Sequence, residues 1–91
     1  MLTQFGKPDI ITEDYIVECK KGTHDESQYG RALDQAEKFV NLIEYLAKKG
    51  VKKTLVYWFA KFPTDPDWET VIDYLLSNGV KLMPDDIFGG I

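Results

Sequence analysis

The chain has 91 residues, 44% of them hydrophobic and 13% aromatic, and a net charge of −4. That composition excludes a disordered chain and bounds the protein to one small core. The single cysteine excludes an intramolecular disulfide, and no apolar run approaches the roughly 20 residues of a membrane span.

The first element expected in chain order is a β-hairpin. Leu2-Thr3-Gln4-Phe5 forms a short strand at most, and Pro8 suits the start of the next one. The arms Ile10-Ile11-Thr12 and Ile16-Val17 are rich in β-branched residues, with the acidic pair Glu13-Asp14 between them. With Glu13-Asp14 as a two-residue turn, Thr12 faces Tyr15, Ile11 faces Ile16, Ile10 faces Val17 and Asp9 faces Glu18. Opposed residues share a face, with Cβ atoms roughly 4.5–5.5 Å apart. Residues two apart on a strand share it too, so Lys20 joins Asp9 and Glu18. Both arms are apolar apart from these charges and the turn, so both are expected to be largely buried.

Gly22-Thr23-His24 reads as a loop, and Asp25 with Gln28 as a capping box that opens a helix. Leu33, Ala36, Val40, Ile43 and Leu46-Ala47 recur at helical spacing as its buried stripe, flanked by Phe39 and Leu42. Gly50 after Lys48-Lys49 stops it. Residues 53–60 form a buried strand, which makes a right-handed crossover into parallel pairing. Asp65 caps a second helix with Pro66 at its first position, and Trp68, Val71, Ile72, Leu75 and Leu76 line its inner face. Asn78-Gly79 ends it, residues 80–83 form a short strand, and residues 84–91 are a tail in which Asp85-Asp86 face solvent. Trp58 and Trp68 both lie within apolar patterns and are expected in the core. The result is one α/β domain over residues 1–91, a mixed sheet in β-β-α-β-α-β order with helices packed on it.

The chemistry sits in the hairpin. Two carboxylates directly opposed repel one another. A divalent cation, the Lys20 ammonium or a retained proton offsets this. Mg²⁺ prefers oxygen and is commonly held by one or two carboxylates plus phosphate and water, and Lys20 is placed to stabilise developing negative charge. Other sites are excluded. No Cys/His set has zinc spacing, and there is no G-x-x-x-x-G-K-[ST] loop. Neither Ser27 nor Ser77 forms a nucleophile elbow with His24, which is expected to face solvent.

Pro8-Asp9, then Glu18-Cys19-Lys20 closing a hairpin, then a helix carrying Gln35, resembles the PD-(D/E)xK nuclease superfamily, in particular its RecB-like and archaeal Holliday-junction-resolvase-like members. The resemblance covers residues 5–60. It implies a restriction-endonuclease-like core and a Mg²⁺- or Mn²⁺-dependent deoxyribonuclease. In that reading Asp9 and Glu18 hold the metal with the backbone carbonyl of Cys19, and Lys20 and Gln35 address water or phosphate. Gln28 is the second choice for the helix glutamine. Only eight residues precede Asp9, so the resemblance is to a minimal version that lacks the N-terminal helix. The alternative expectation is a catalytically silent nucleic-acid-binding or protein-assembly module on the same fold.

DNA is the expected partner, with Lys21, Gln28 and Arg31 as contacts, although Arg31 can also pair with Glu26 or Asp34. The acidic balance runs against tight DNA binding by a monomer. Lysine pairs at Lys20-Lys21, Lys48-Lys49 and Lys52-Lys53 allow a surface of uneven sign. A homodimer is expected, joined through exposed aromatics at 57–62 or the tail. The lone cysteine and the absence of a basic-then-apolar leader in Met1-Leu2-Thr3-Gln4-Phe5 give a cytoplasmic expectation.

Overall fold

The computed structural model describes residues 6–20, 26–61, 63, 66 and 68–84, with backbone alone for 26–30. Its elements are β1 (Ile10–Ile11), β2 (Tyr15–Lys20), α1 (Glu26–Lys48), β3 (Thr54–Phe59), α2 (Trp68–Ser77) and β4 (Lys81–Met83). They build a small mixed α/β domain on one four-stranded sheet of order β1-β2-β3-β4. β1 runs antiparallel to β2, and the other neighbours are parallel. Among the described residues no helix is long and apolar enough to cross a membrane.

The hairpin has the expected register, Ile10 opposite Val17 and Ile11 opposite Ile16. Thr12 closes the turn twice. Its N–H donates to the Tyr15 carbonyl at 2.8 Å, and its Oγ1 accepts the Tyr15 N–H at 2.9 Å. The ammonium of Lys53 donates to the carbonyls of Thr12 and Glu13, and the Thr54 N–H donates to Asp14 O at 2.8 Å. The turn is thereby tied to the start of β3.

Period-2 alternation then sorts the sheet. Ile16, Glu18, Leu55, Tyr57, Phe59 and Leu82 are buried on the face that packs against the helices. Both helices add to one cluster with them, α1 through Ala32, Ala36, Phe39, Val40 and Leu42, α2 through Trp68, Val71, Ile72 and Leu75. Phe59 meets the edge of Trp68 at 6.0 Å between centroids.

Several expectations are corrected. The stripe of α1 is rotated toward Ala32, Phe39 and Leu42, while Leu33 and Ile43 are only partly buried and Ala47 is exposed. β1 is an edge strand, so Ile10 and Ile11 are exposed instead of buried. Trp58 is exposed, because Tyr57 and Phe59 take the inward positions of β3 and force it to the opposite face. For the same reason Tyr57, Trp58 and Phe59 form no single exposed surface. Leu76 is exposed, and α2 starts at Trp68, after a turn in which Glu69 N–H donates to Pro66 O at 3.0 Å. The strand at 2–5, the loop at 22–24, Asp25 and Asp65 as caps, Phe62, and residues 85–91 of the tail lie outside the described residues.

α2 ends in a Schellman motif. Val80 N–H donates to Leu75 O at 3.0 Å and Gly79 N–H to Leu76 O at 3.1 Å, with Gly79 at φ +73°. A Cβ at Gly79 meets nothing within 4 Å, so a side chain there strains only the backbone. Gly79→Ala is expected to cost about 1 kcal/mol in urea denaturation, and Gly79→Asn less, since Asn tolerates this conformation better. Equal losses in the two variants would contradict that account.

Candidate functional site

β2 delivers one buried and one half-buried charge. Glu18 and Lys20 are two apart, so both side chains stand on the helix-facing side of the sheet. Glu18 is 5% exposed, the one charged residue in the described core. Lys20 Nζ lies 3.0 Å from Glu18 Oε2 and donates to Gln35 Oε1 at 2.5 Å. The ammonium thus joins the sheet carboxylate to α1. It also sits 5.9 Å from the centroid of the Tyr57 ring, a cation–π distance.

Asp9 reaches the same place from the other arm, although it is exposed and lies just outside β1. Its Oδ2 accepts the Cys19 N–H at 2.9 Å. The register explains why. Ile10 pairs with Val17, so the continued ladder sets Asp9 opposite Glu18 and Pro8 opposite Cys19. In an antiparallel ladder, residues that exchange both backbone bonds alternate with those that exchange none. Thr12 with Tyr15 and Pro8 with Cys19 fall in the bonded set. Proline has no N–H to give to the Cys19 carbonyl. The Asp9 carboxylate takes up the Cys19 N–H in place of a strand partner, and the Cys19 carbonyl points to the same side. The Cys19 side chain is on the opposite face and is exposed.

The electrostatics follow from burial. Desolvation lifts the Glu18 carboxyl above its usual range; Lys20 opposes the rise, and the Asp9 charge adds to it. Glu18 Oε2 is engaged by Lys20, while Oε1 is buried without a hydrogen-bond partner. Among the described residues no group of three or more His, Cys, Asp and Glu gathers. The acid set is two carboxylates, to which the Cys19 carbonyl adds a neutral oxygen.

Of the expected site residues, Asp9, Glu18, Cys19, Lys20 and Gln35 come together. Arg31 lies one turn before Gln35 on α1 and is exposed. The ion pair of Asp34 is with Lys38, at 3.5 Å. Gln28 is in α1, with its side chain outside the description, and Lys21 and His24 lie outside the described residues. Sequence reasoning missed two residues. Gly6 has φ +87°, and a Cβ there would stand 3.0 Å from Phe39 Cε1, so the segment leading to Asp9 lies directly against the α1 aromatic. Tyr57, the register neighbour of Glu18, is fully buried beside it. Comparison with protein-family models, curated proteins and solved structures finds no match to this chain.

Two outcomes test this geometry. A carboxyl whose folded pKa is raised adds stability fully below the ordinary glutamate value of about 4.3, and that stability is lost as pH rises through the folded value. Without metal, the melting temperature of the wild type should therefore fall relative to that of Glu18→Gln as pH rises from about 4. A difference constant with pH would contradict the buried carboxyl. Gly6→Ala is expected to cost about 1–2 kcal/mol, because an L residue there is strained and its Cβ presses on Phe39. An unchanged unfolding midpoint would remove that contact from the account.

Proposed function

We propose that the chain is a metal-dependent DNA nuclease, a relative of the PD-(D/E)xK superfamily with a restriction-endonuclease-like core. The observation that carries this reading is the convergence of Asp9, Glu18, the Cys19 backbone and the Lys20–Gln35 pair at the open end of β2. The donor set fits Mg²⁺ or Mn²⁺. It is all oxygen, two carboxylates and one carbonyl, and it leaves room for phosphate and water. The mutual repulsion of the carboxyls is relieved by a cation.

When bound, such an ion acidifies a water and neutralises charge on the phosphorus-centred transition state. The chain's own groups do the rest. Asp9 and Glu18 fix the ion at the rim, with the Cys19 carbonyl beside them. Gln35 Oε1 holds the Lys20 ammonium in one direction, so that its remaining protons orient the attacking water or meet a phosphate oxygen. DNA is the partner in this reading, and a homodimer belongs to it, since one such site cuts one strand.

Cleavage of plasmid and branched DNA with Mn²⁺ tests the proposal. Asp9→Asn keeps an acceptor for the Cys19 N–H but removes the charge, and Lys20→Met keeps the stem but removes the ammonium. Each is expected to lower the rate at least about a hundredfold, while circular dichroism shows a retained fold. Wild-type rates in both variants would assign the cleavage to a contaminant. No calorimetric heat with millimolar Mn²⁺ would leave the silent binding module as the reading.

A further inference from the structure

The described core contains a second polar atom that the mechanism above does not use. Tyr57 is 0% exposed, and its hydroxyl has no hydrogen-bond partner. Its Cα partner across the parallel ladder is Glu18, whose Oε1 is likewise buried and without a partner. Both side chains stand on the helix-facing side of the sheet. Two oxygens on neighbouring strands, each more than nine-tenths buried, are thus both without a bond.

The surroundings narrow the choice of partner. Phe39 and Phe59 flank the Tyr57 ring, at 6.4 and 6.1 Å between centroids, and their side chains offer no donor or acceptor. Lys20 is engaged with Glu18 Oε2 and Gln35 Oε1. A carboxylate oxygen accepts only, whereas a phenol both donates and accepts. Water satisfies the two together, accepting from the hydroxyl and donating to the carboxylate. Enclosed waters typically make about three such bonds to otherwise unsatisfied groups.

We propose that Tyr57 is a positioning residue of this site, its hydroxyl and Glu18 Oε1 sharing one enclosed water that fixes the rotation of the carboxylate. The pairing stands by itself, and its consequence for metal rests on the nuclease reading. With Oε1 anchored from behind, the carboxylate cannot turn about its last bond, and Oε2 stays on the side of Lys20 and Asp9. Burial and the nearby Glu18 charge raise the Tyr57 pKa, which keeps the phenol a neutral donor.

Tyr57→Phe removes the hydroxyl and keeps the ring. A high-resolution crystal structure of the metal-free wild type is expected to show one water within hydrogen-bond distance of both oxygens, and that of Tyr57→Phe to lack it. Calorimetry is expected to show Mn²⁺ affinity about tenfold lower in the variant, the size of loss usual for an outer-shell partner, with the melting temperature little changed. Wild-type oxygens without a shared water, or equal Mn²⁺ affinity in a folded variant, would overturn the proposal. A shared water in a wild type that binds no Mn²⁺ would remove the metal reading and leave the Tyr57–Glu18 pair standing. If the variant does not fold, the wild-type crystal structure decides alone.

Discussion

One ammonium holds the arrangement together. Lys20 Nζ sits between a carboxylate on its own strand and an amide on the helix above, and both partners lie within hydrogen-bonding reach. A buried carboxylate without a counter-charge takes up a proton instead of ionising. Lys20 opposes that tendency for Glu18, and Gln35 Oε1 accepts a hydrogen bond from the same ammonium. The contact is therefore also the seam between sheet and helix. As a stabilising device it is poor, because a buried ion pair replaced by apolar residues of similar volume is often neutral or about 1–4 kcal/mol more stable. A domain with one small core has little stability to spare. In the nuclease reading, the charged cluster is retained for chemistry rather than for stability.

Backbone geometry decides where the charged cluster opens to solvent. β2 has six residues and β1 only two, so the last part of β2 loses its antiparallel neighbour. Pro8 cannot continue the ladder, and the Asp9 side chain substitutes for it at the Cys19 N–H. The same event leaves a carbonyl facing the carboxylates. Upstream, Gly6 lies against Phe39, and Phe39 lies against Tyr57. The approach of the chain to Asp9 and the wall behind Glu18 are thus packed on one aromatic side chain of α1.

Much of this was legible from residue order, for identifiable reasons. The hairpin register follows from a two-residue turn and a strict period of two, and it alone joins Asp9, Glu18 and Lys20. The parallel pairing of β2 and β3 follows from a strand, a long helix and a strand. What could not be read depended on neighbours. Ile10 and Ile11 look like core residues, and become exposed only because β1 is the edge of the sheet. Leu55 to Phe59 is an unbroken apolar run, which hides which alternate set points inward, so Trp58 was misplaced. The α1 stripe is ambiguous by one residue in sequence, because Phe39 and Leu42 lie closer to the centre of burial than Leu33 and Ile43. Tyr57 gave no signal at all, since a tyrosine in an apolar strand reads as packing until its hydroxyl is found without a partner.

The acidic balance of the chain matters less than where its cations stand. β2 and β3 are parallel, so their C-terminal ends coincide, with Ala60 N–H donating to Lys20 O at 2.8 Å. α1 returns against them, which puts Gln35 above the site and Lys48 at the far end. Thirteen residues of helix separate those two, roughly 20 Å at 1.5 Å per residue. That is more than twice the screening length of about 8 Å at physiological salt. Lys48, Lys49 and Lys52 therefore contribute almost nothing at Glu18, however basic that end looks in the sequence. The cations that do matter are exposed and local. Lys7 precedes Asp9 by two residues, Arg31 lies one turn before Gln35, and Lys61 follows β3 at the end where Lys20 lies. In the nuclease reading, these are the described cations placed to meet a phosphate backbone.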